Sequence, residues 1–140
     1  MTVTLATLFT AIVSILAILV VFWTGLRVGG MRGKHNILAP ATTGHPEFDR
    51  AYRVQMNTME QFVIFLPLLW LANAFFHSLP LLTGAVGLVW IVGRIVYAQA
   101  YMAEPSKRSL GFTISIIATA ILLVLSVIGI VHAWMALNAA

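Results

Sequence analysis

The chain has 140 residues, of which 61% are hydrophobic and only 9% are charged, and it contains no cysteine. A soluble domain has about half of its residues apolar and about a quarter charged, so the composition excludes an ordinary water-soluble fold. The lack of cysteine excludes disulfides, thiolate metal sites and cysteine nucleophiles. The net charge of +4 does not indicate nucleic-acid binding, because the basic residues lie between long apolar segments, as membrane topology predicts.

Four apolar segments are each long enough to cross a bilayer as a helix, which takes about 20 residues. We predict spans at residues 4–26, 50–76, 81–102 and 110–137, within a single domain of residues 1–140. The apolar runs are continuous rather than alternating, which argues against a transmembrane barrel. The sequence therefore predicts an all-α integral membrane protein built as a four-helix bundle.

Polar connections separate the four spans. Residues 27–45 contain several glycines, Pro40 and three basic residues, so they predict a long loop, and Pro46 with the acids after it predicts a helix start. A short turn at residues 77–80 predicts an antiparallel pair, and a second polar loop covers residues 104–108. Lys and Arg occur in the two polar loops and not in the short turn or near either terminus. This bias predicts that both polar loops are cytoplasmic and that both termini lie on the opposite side.

Polar side chains at the loop ends of the second and third spans are the candidate functional residues. Each set shares one helix face by its spacing of three, four or seven residues: Arg53, Asn57 and Glu60 on the second helix, and Arg94, Tyr97 and Tyr101 on the third. Because an ionisable group in hydrocarbon is costly, we expect Glu60 to pair with Arg53 or Arg94. One interpretation is an ion pair that only fixes packing. The number of donors and acceptors favours a site for an anionic, peptide-like ligand.

Histidines and glycines add less. The four histidines share no helical ligand spacing, so no metal site is predicted. Gly29, Gly30 and Gly33 lack the strand-to-helix context of a phosphate loop and predict loop flexibility instead. Gly84 and Gly87 are expected to let neighbouring helices approach closely.

Residues 41–60 resemble the signature of the membrane-associated proteins in eicosanoid and glutathione metabolism, the MAPEG family. The core of that signature, Arg-x-x-x-Asn-x-x-Glu, begins at Arg53 and ends at Glu60. The pattern from Arg94 to Tyr101, followed by Arg108, is similar to the end of the third helix in microsomal glutathione transferases and leukotriene-C synthases. In one departure, those synthases carry tyrosine after the motif glutamate, where this chain has Gln61.

The resemblance implies a homotrimer that binds glutathione as cosubstrate between neighbouring subunits, uses no metal and receives a lipophilic electrophile from the bilayer. It implies a transferase, with peroxidase chemistry as a related activity. Arg108 would stabilise the glutathione thiolate. A basic residue of the first loop would bind a carboxylate of glutathione, and Arg32 and Lys34 are both candidates. The residues implied to bind glutathione are Arg32, Lys34, Arg53, Gln55, Asn57, Glu60, Arg94, Tyr97 and Tyr101.

Two other classes of function remain alternatives. The family includes non-enzymatic members, such as the five-lipoxygenase-activating protein, so a scaffold that binds lipids or a partner without catalysis is one alternative. A small transporter is the other, although the sequence shows no pair of broken helices. Joint presence of the second-helix motif, the third-helix tyrosine and Arg108 favours glutathione use.

Overall fold

A computed structural model describes residues 3–139, and Met1, Thr2 and Ala140 of the predicted 1–140 domain lie outside the described residues. Four long helices follow in chain order: α1 Leu5–His35, α2 Pro46–Phe75, α3 Leu82–Ala103 and α4 Ser109–Asn138. A short 3₁₀ turn, Pro105–Arg108, leads directly into α4. All four helices are long and apolar enough to cross a membrane. At about 1.5 Å per residue, even the shortest reaches across a hydrocarbon core of about 30 Å.

The helices form an antiparallel bundle in which α1 packs against α2 and α3, and α4 packs against the same two helices' other sides. The two polar connections therefore lie at one end, which we call the polar end of the bundle. The core is apolar, and at its centre the rings of Phe65 and Trp90 stack with centroids 4.0 Å apart. Large apolar side chains elsewhere, such as Leu19 and Val63, remain exposed on the outer faces, as lipid contact requires.

Two glycines of α3 allow the close helix approach that the sequence predicts. A β-carbon on Gly84 would lie 2.4 Å from the ring of Phe9, and one on Gly87 would lie 2.6 Å from Val13. Both neighbours belong to α1. The prediction is confirmed, because a β-carbon at either position would overlap a side chain of α1, so that side chain or the helix itself would have to shift.

The predicted start of the polar loop at residue 27 is wrong, since α1 continues through His35. The glycines that were expected to break this helix face open space, and helical geometry strains none of them. Arg32, Lys34 and His35 lie in the last turn, where basic side chains interact favourably with the helix dipole. Asn36 then ends the helix in the left-handed conformation, and its backbone N–H donates to the carbonyl of Arg32.

The other predicted boundaries lie close to those of the structure. Pro46 is the first residue of α2, and Nδ1 of His45 accepts a hydrogen bond from the backbone N–H of Glu47, which caps the helix. The start of α3 and both ends of α4 fall within one residue of the predicted spans. Helix α2 continues through Pro67, which lies on its exposed side.

Candidate functional site

A column of two aromatic rings with a cation at each end runs along the loop end of α3. The guanidinium carbon of Arg94 lies 4.1 Å from the ring centroid of Tyr97. The rings of Tyr97 and Tyr101 are 5.6 Å apart, and Arg108 lies 5.6 Å from the ring of Tyr101. The spacing predicted from the sequence therefore produces one continuous face, and the turn after α3 adds Arg108 to its end.

Arg94 links this column to the polar face of α2. Its Nη2 donates to Oδ1 of Asn57 at 3.1 Å and to Oγ1 of Thr58 at 2.8 Å. Since the amide oxygen of Asn57 is occupied, its nitrogen points the other way and donates to Oε2 of Glu60 at 3.4 Å. Arg94 thereby fixes which way the Asn57 amide faces.

The expected ion pair of Glu60 with Arg53 or Arg94 is absent among residues 3–139, whose salt bridges involve Glu47 and Glu104. Glu60 and Arg53 are exposed instead. Arg94 is fully buried, and its Nε and Nη1 have no hydrogen-bond partner in the described part of the chain. A packing role as an ion pair therefore does not account for these side chains, because a buried cation normally has a carboxylate partner.

Arg108 is held by the 3₁₀ turn that precedes α4. Its Nη1 donates to the carbonyl of Pro105 at 3.2 Å, which leaves most of the exposed guanidinium available. Within the same turn, Lys107 lies 2.8 Å from Glu104, and Ser106 donates to the other carboxylate oxygen at 2.6 Å. Hydrogen bonds from Lys107 and then Ser106 lower the pKa of Glu104. The neighbouring cation is thus paired, whereas Arg108 is free to meet an anionic group.

Close packing of α4 on α3 sets the position of Arg108 relative to the tyrosines. A β-carbon on Gly111 would lie 2.2 Å from the backbone nitrogen of Tyr97. Only glycine allows this contact between the two backbones. Beside it, an open cavity of about 400 Å³ is lined by Arg108, Ser109, Phe112 and Thr113. The face of α4 next to Arg108 therefore has room for a small molecule.

The remaining predicted ligands lie elsewhere in the chain. Gln55 follows Arg53 by two residues, so it points about 200° away around α2, and its amide nitrogen lies 3.2 Å from where a β-carbon of Gly25 in α1 would be. Arg32 lies near the end of α1, with its guanidinium 4.8 Å from the ring of Phe48. Lys34 is paired with Glu47 at 2.6 Å. The structure does not bring Arg32, Lys34 or Gln55 to the face that carries Arg108.

The junction between α1 and α2 gathers residues that the sequence left scattered. The imidazoles of His35 and His45 stack 3.6 Å apart, and Nε2 of His35 lies 2.8 Å from Glu47. Their ligand atoms lie within 4.8 Å of one another, although the sequence predicted no metal site. However, Lys34 already pairs with the carboxylate of Glu47, and Nδ1 of His45 accepts the hydrogen bond from the backbone N–H of Glu47 that caps α2. These contacts account for all three side chains, which hold the end of α1 against the start of α2.

Two residues of the site region were missed or left unassigned by the sequence. Thr58 was not singled out, yet it is fully buried and anchors Arg94 while donating to the carbonyl of Val54. Arg50 donates to the carbonyls of Met102 and Ala103 at 3.3 and 3.2 Å. It therefore ties the last turn of α3 to α2 and satisfies carbonyls at a helix C-terminus.

Comparison with known proteins agrees with this architecture. The family model of the MAPEG family matches residues 10–128. The chain belongs to the MAPEG family. It is 37% identical to human microsomal glutathione S-transferase 2 over 125 residues, which cover 89% of this chain and 84% of the relative. It is 36% identical to bovine leukotriene C4 synthase over 123 residues, or 86% and 79% of the two chains. An uncharacterised protein of Synechocystis sp. is 39% identical over 117 residues, 84% of each chain. This MAPEG chain is thus a multi-pass membrane protein whose named relatives include glutathione enzymes.

Proposed function

We propose that this protein is a glutathione-dependent membrane transferase that conjugates glutathione to lipophilic electrophiles. The single observation that carries the proposal is the arginine–tyrosine column of α3, which ends on the exposed guanidinium of Arg108 beside an open cavity. Family membership and the relatives named for glutathione chemistry support it. The thiolate is the reactive form of glutathione, and a fixed cation at its sulfur favours that form.

The reaction would use Arg108 for charge stabilisation and the α4 cavity for the electrophile. The glutathione thiol would lose its proton to solvent, and the thiolate would attack an electrophilic carbon of an aryl halide. A carbon–sulfur bond would form as the carbon–halide bond breaks and halide leaves. Holding both reactants at the membrane surface removes most of the entropic cost of their meeting. Reduction of a lipid hydroperoxide by two glutathione molecules, yielding alcohol, water and oxidised glutathione, is the related peroxidase reaction.

Glutathione would bind along the polar faces of α2 and α3. The exposed carboxylate of Glu60 suits the free amino group, and Arg53 suits a carboxylate. Asn57, with its oxygen already taken by Arg94, would contribute its amide nitrogen. Tyr97 and Tyr101 would form the wall against which the peptide lies.

We propose a homotrimer, as the resemblance to the family implies, and the positions of the predicted ligands in one chain support a site that is shared between subunits. Gln55 and Arg32 lie on the α1 side of the chain, away from Arg108, so a neighbouring subunit would have to supply them. Arg32 is a better candidate than Lys34 for binding a carboxylate of glutathione, because Lys34 is already paired with Glu47. Glutathione is abundant in the cytoplasm, so the proposed site agrees with the predicted cytoplasmic position of the polar end.

Turnover of an aryl halide by the protein purified in detergent tests the transferase proposal. We expect Arg108→Ala to lower kcat by about a hundredfold while glutathione affinity falls much less, since the guanidinium acts mainly on the developing thiolate. Arg108→Lys should recover part of the rate. Lys107→Ala is the matched control, because that neighbouring cation is paired with Glu104. Absence of both turnover and glutathione binding in the wild type would refute the proposal and favour a scaffold.

Mixed oligomers test the shared site. A chain carrying Arg108→Ala and a chain carrying both Arg32→Ala and Gln55→Ala should each be nearly inactive alone. When the two are co-expressed, some interfaces combine the Arg108 of one chain with the Arg32 and Gln55 of the other. Activity should therefore return to a measurable fraction of the wild type. Activity that stays at the level of the separate mutants would show that all ligands come from one chain.

A further inference from the structure

A groove on the outer face of the bundle, between α1 and α3, is separate from the proposed glutathione site. It is open and apolar, has a volume of about 300 Å³ and is lined by Leu16, Leu19, Val20, Trp23, Ile91 and Ile95. A second cavity of about 370 Å³ continues toward the polar end, and Trp23 lines both. The two together form one elongated depression that is apolar at one end and polar at the other.

Arg27 is the available cation in the polar part of this depression. The cavity is also lined by Lys34 and Glu47, but these two are paired with each other. Nε of Arg27 is buried without a hydrogen-bond partner among residues 3–139, and the guanidinium lies 5.5 Å from the ring of Trp23. No salt bridge in that described range involves Arg27. A cation with unused donors therefore stands where the apolar groove meets the polar cavity.

We propose that this α1–α3 groove binds a membrane phospholipid with an anionic head group. One acyl chain lies in the apolar groove, and the head-group phosphate contacts Arg27. The length of the depression fits, because Leu16 and Arg27 are separated by eleven helical steps that rise about 16 Å, and one leaflet of hydrocarbon is about 15 Å thick. The charge fits as well, since a guanidinium binds phosphate through two parallel hydrogen bonds.

The groove is not an extension of the electrophile cavity. The cavity beside Arg108 lies at the start of α4, and none of its lining residues belongs to either part of the α1–α3 depression. A molecule in the groove therefore occupies a different face from the reacting groups. Its effect would be on stability and orientation in the bilayer rather than on chemistry.

Native mass spectrometry of the detergent-purified protein tests this proposal, with phosphatidylglycerol and phosphatidylcholine of matched chains as probes. We expect the wild type to retain phosphatidylglycerol, and Arg27→Met to weaken that binding about tenfold, as for the loss of a charge-assisted contact. Leu19→Trp fills the groove from an exposed position and should reduce binding of the same lipid. Lys107→Met and Leu8→Trp are the matched controls, because they remove an exposed cation or add an exposed indole outside the groove.

Three results would overturn the proposal. Equal retention of the two lipids would show a non-selective lipid shell. Unchanged phosphatidylglycerol binding in both groove variants would place the lipid elsewhere. Cross-linking of an Ile95→Cys variant to a second copy of the chain would show that a neighbouring subunit covers the groove. Thermal unfolding with each lipid provides a second readout, and only the anionic lipid should raise the Tm of the wild type.

Discussion

Replacing Arg94 by methionine separates a ligand-binding role from a packing role. Methionine is unbranched and apolar, so it fills most of the space of the buried arginine stem without its charge. The change removes two hydrogen bonds from a charged group, to Asn57 and Thr58, worth about 3–6 kcal/mol together. It also removes the cost of burying a guanidinium with two unpartnered nitrogens, which amounts to several kcal/mol.

These opposing contributions nearly cancel in the folded protein. The hydroxyl of Thr58 keeps its bond to the carbonyl of Val54, and Asn57 is only partly buried, so neither is left without a partner. We therefore expect the Tm of Arg94→Met in detergent to stay within about 5 °C of the wild type. Glutathione binding should suffer far more, because the Asn57 amide is no longer oriented and the unused donors are gone. A loss of about 2 kcal/mol corresponds to roughly thirtyfold weaker binding.

Calorimetric titration with glutathione and thermal unfolding of the same preparations measure the two effects. Arg94→Lys is the charge-retaining control and should still bind poorly, because an ammonium cannot bond Asn57 and Thr58 as a planar fork does. Thr58→Val removes only the anchor and should give a smaller loss of affinity. A Tm lowered by more than about 10 °C with unchanged affinity would refute the reasoning, since Arg94 would then act in packing alone.

Two further predictions concern the connection that carries Arg108. Gly111→Ala should lower Tm and turnover together, because its β-carbon would meet the backbone of Tyr97 and force α4 from α3, at a cost of about 1–3 kcal/mol. Gly33→Ala is the control, because its β-carbon would meet no atom. Equal Tm values for these two variants would contradict the contact. Because the pKa of Glu104 is lowered from its usual 4.5, the ionised carboxylate stabilises the turn at pH values above 4.5. This contribution is lost as the pH falls through the lowered pKa. Glu104→Gln should therefore leave the Tm unchanged below that lowered pKa and lower it above pH 4.5, as thermal unfolding of both proteins across this pH range would show.

The four helices could be predicted because membrane insertion depends on composition averaged over many residues. Hydropathy alone placed every span, and Pro46 marked the start of α2. The end of α1 was mispredicted because glycine lowers helix propensity by only about 1 kcal/mol, and three basic side chains near the helix C-terminus offset part of this. The low helix propensity of the glycines was therefore a weaker guide to the end of α1 than the basic residues of its last turn.

The site could be predicted only as far as helical spacing determines it. Arg94, Tyr97 and Tyr101 share a face because of their positions in one helix, and the structure shows the same face. The contact of Arg94 with Thr58 depends on how α3 packs against α2, and no pattern within either helix encodes that crossing. Glu60 was expected to pair with arginine because both are charged, but it lies at an exposed position where water or a ligand can meet its charge.

The arrangement of cations gives the proposed site a physical rationale that neither helix provides alone. Arg94 and Arg108 each lie over a tyrosine ring rather than beside a carboxylate, at the two ends of one column. Aromatic faces hold a guanidinium in place without neutralising it, so its charge remains available to another group. By contrast, Lys34 is paired with Glu47 at the start of α2, and Lys107 is paired with Glu104 in the connection after α3. The salt bridges of the described residues thus involve both lysines and no arginine, so Arg94 and Arg108 of the column remain available to an anionic ligand.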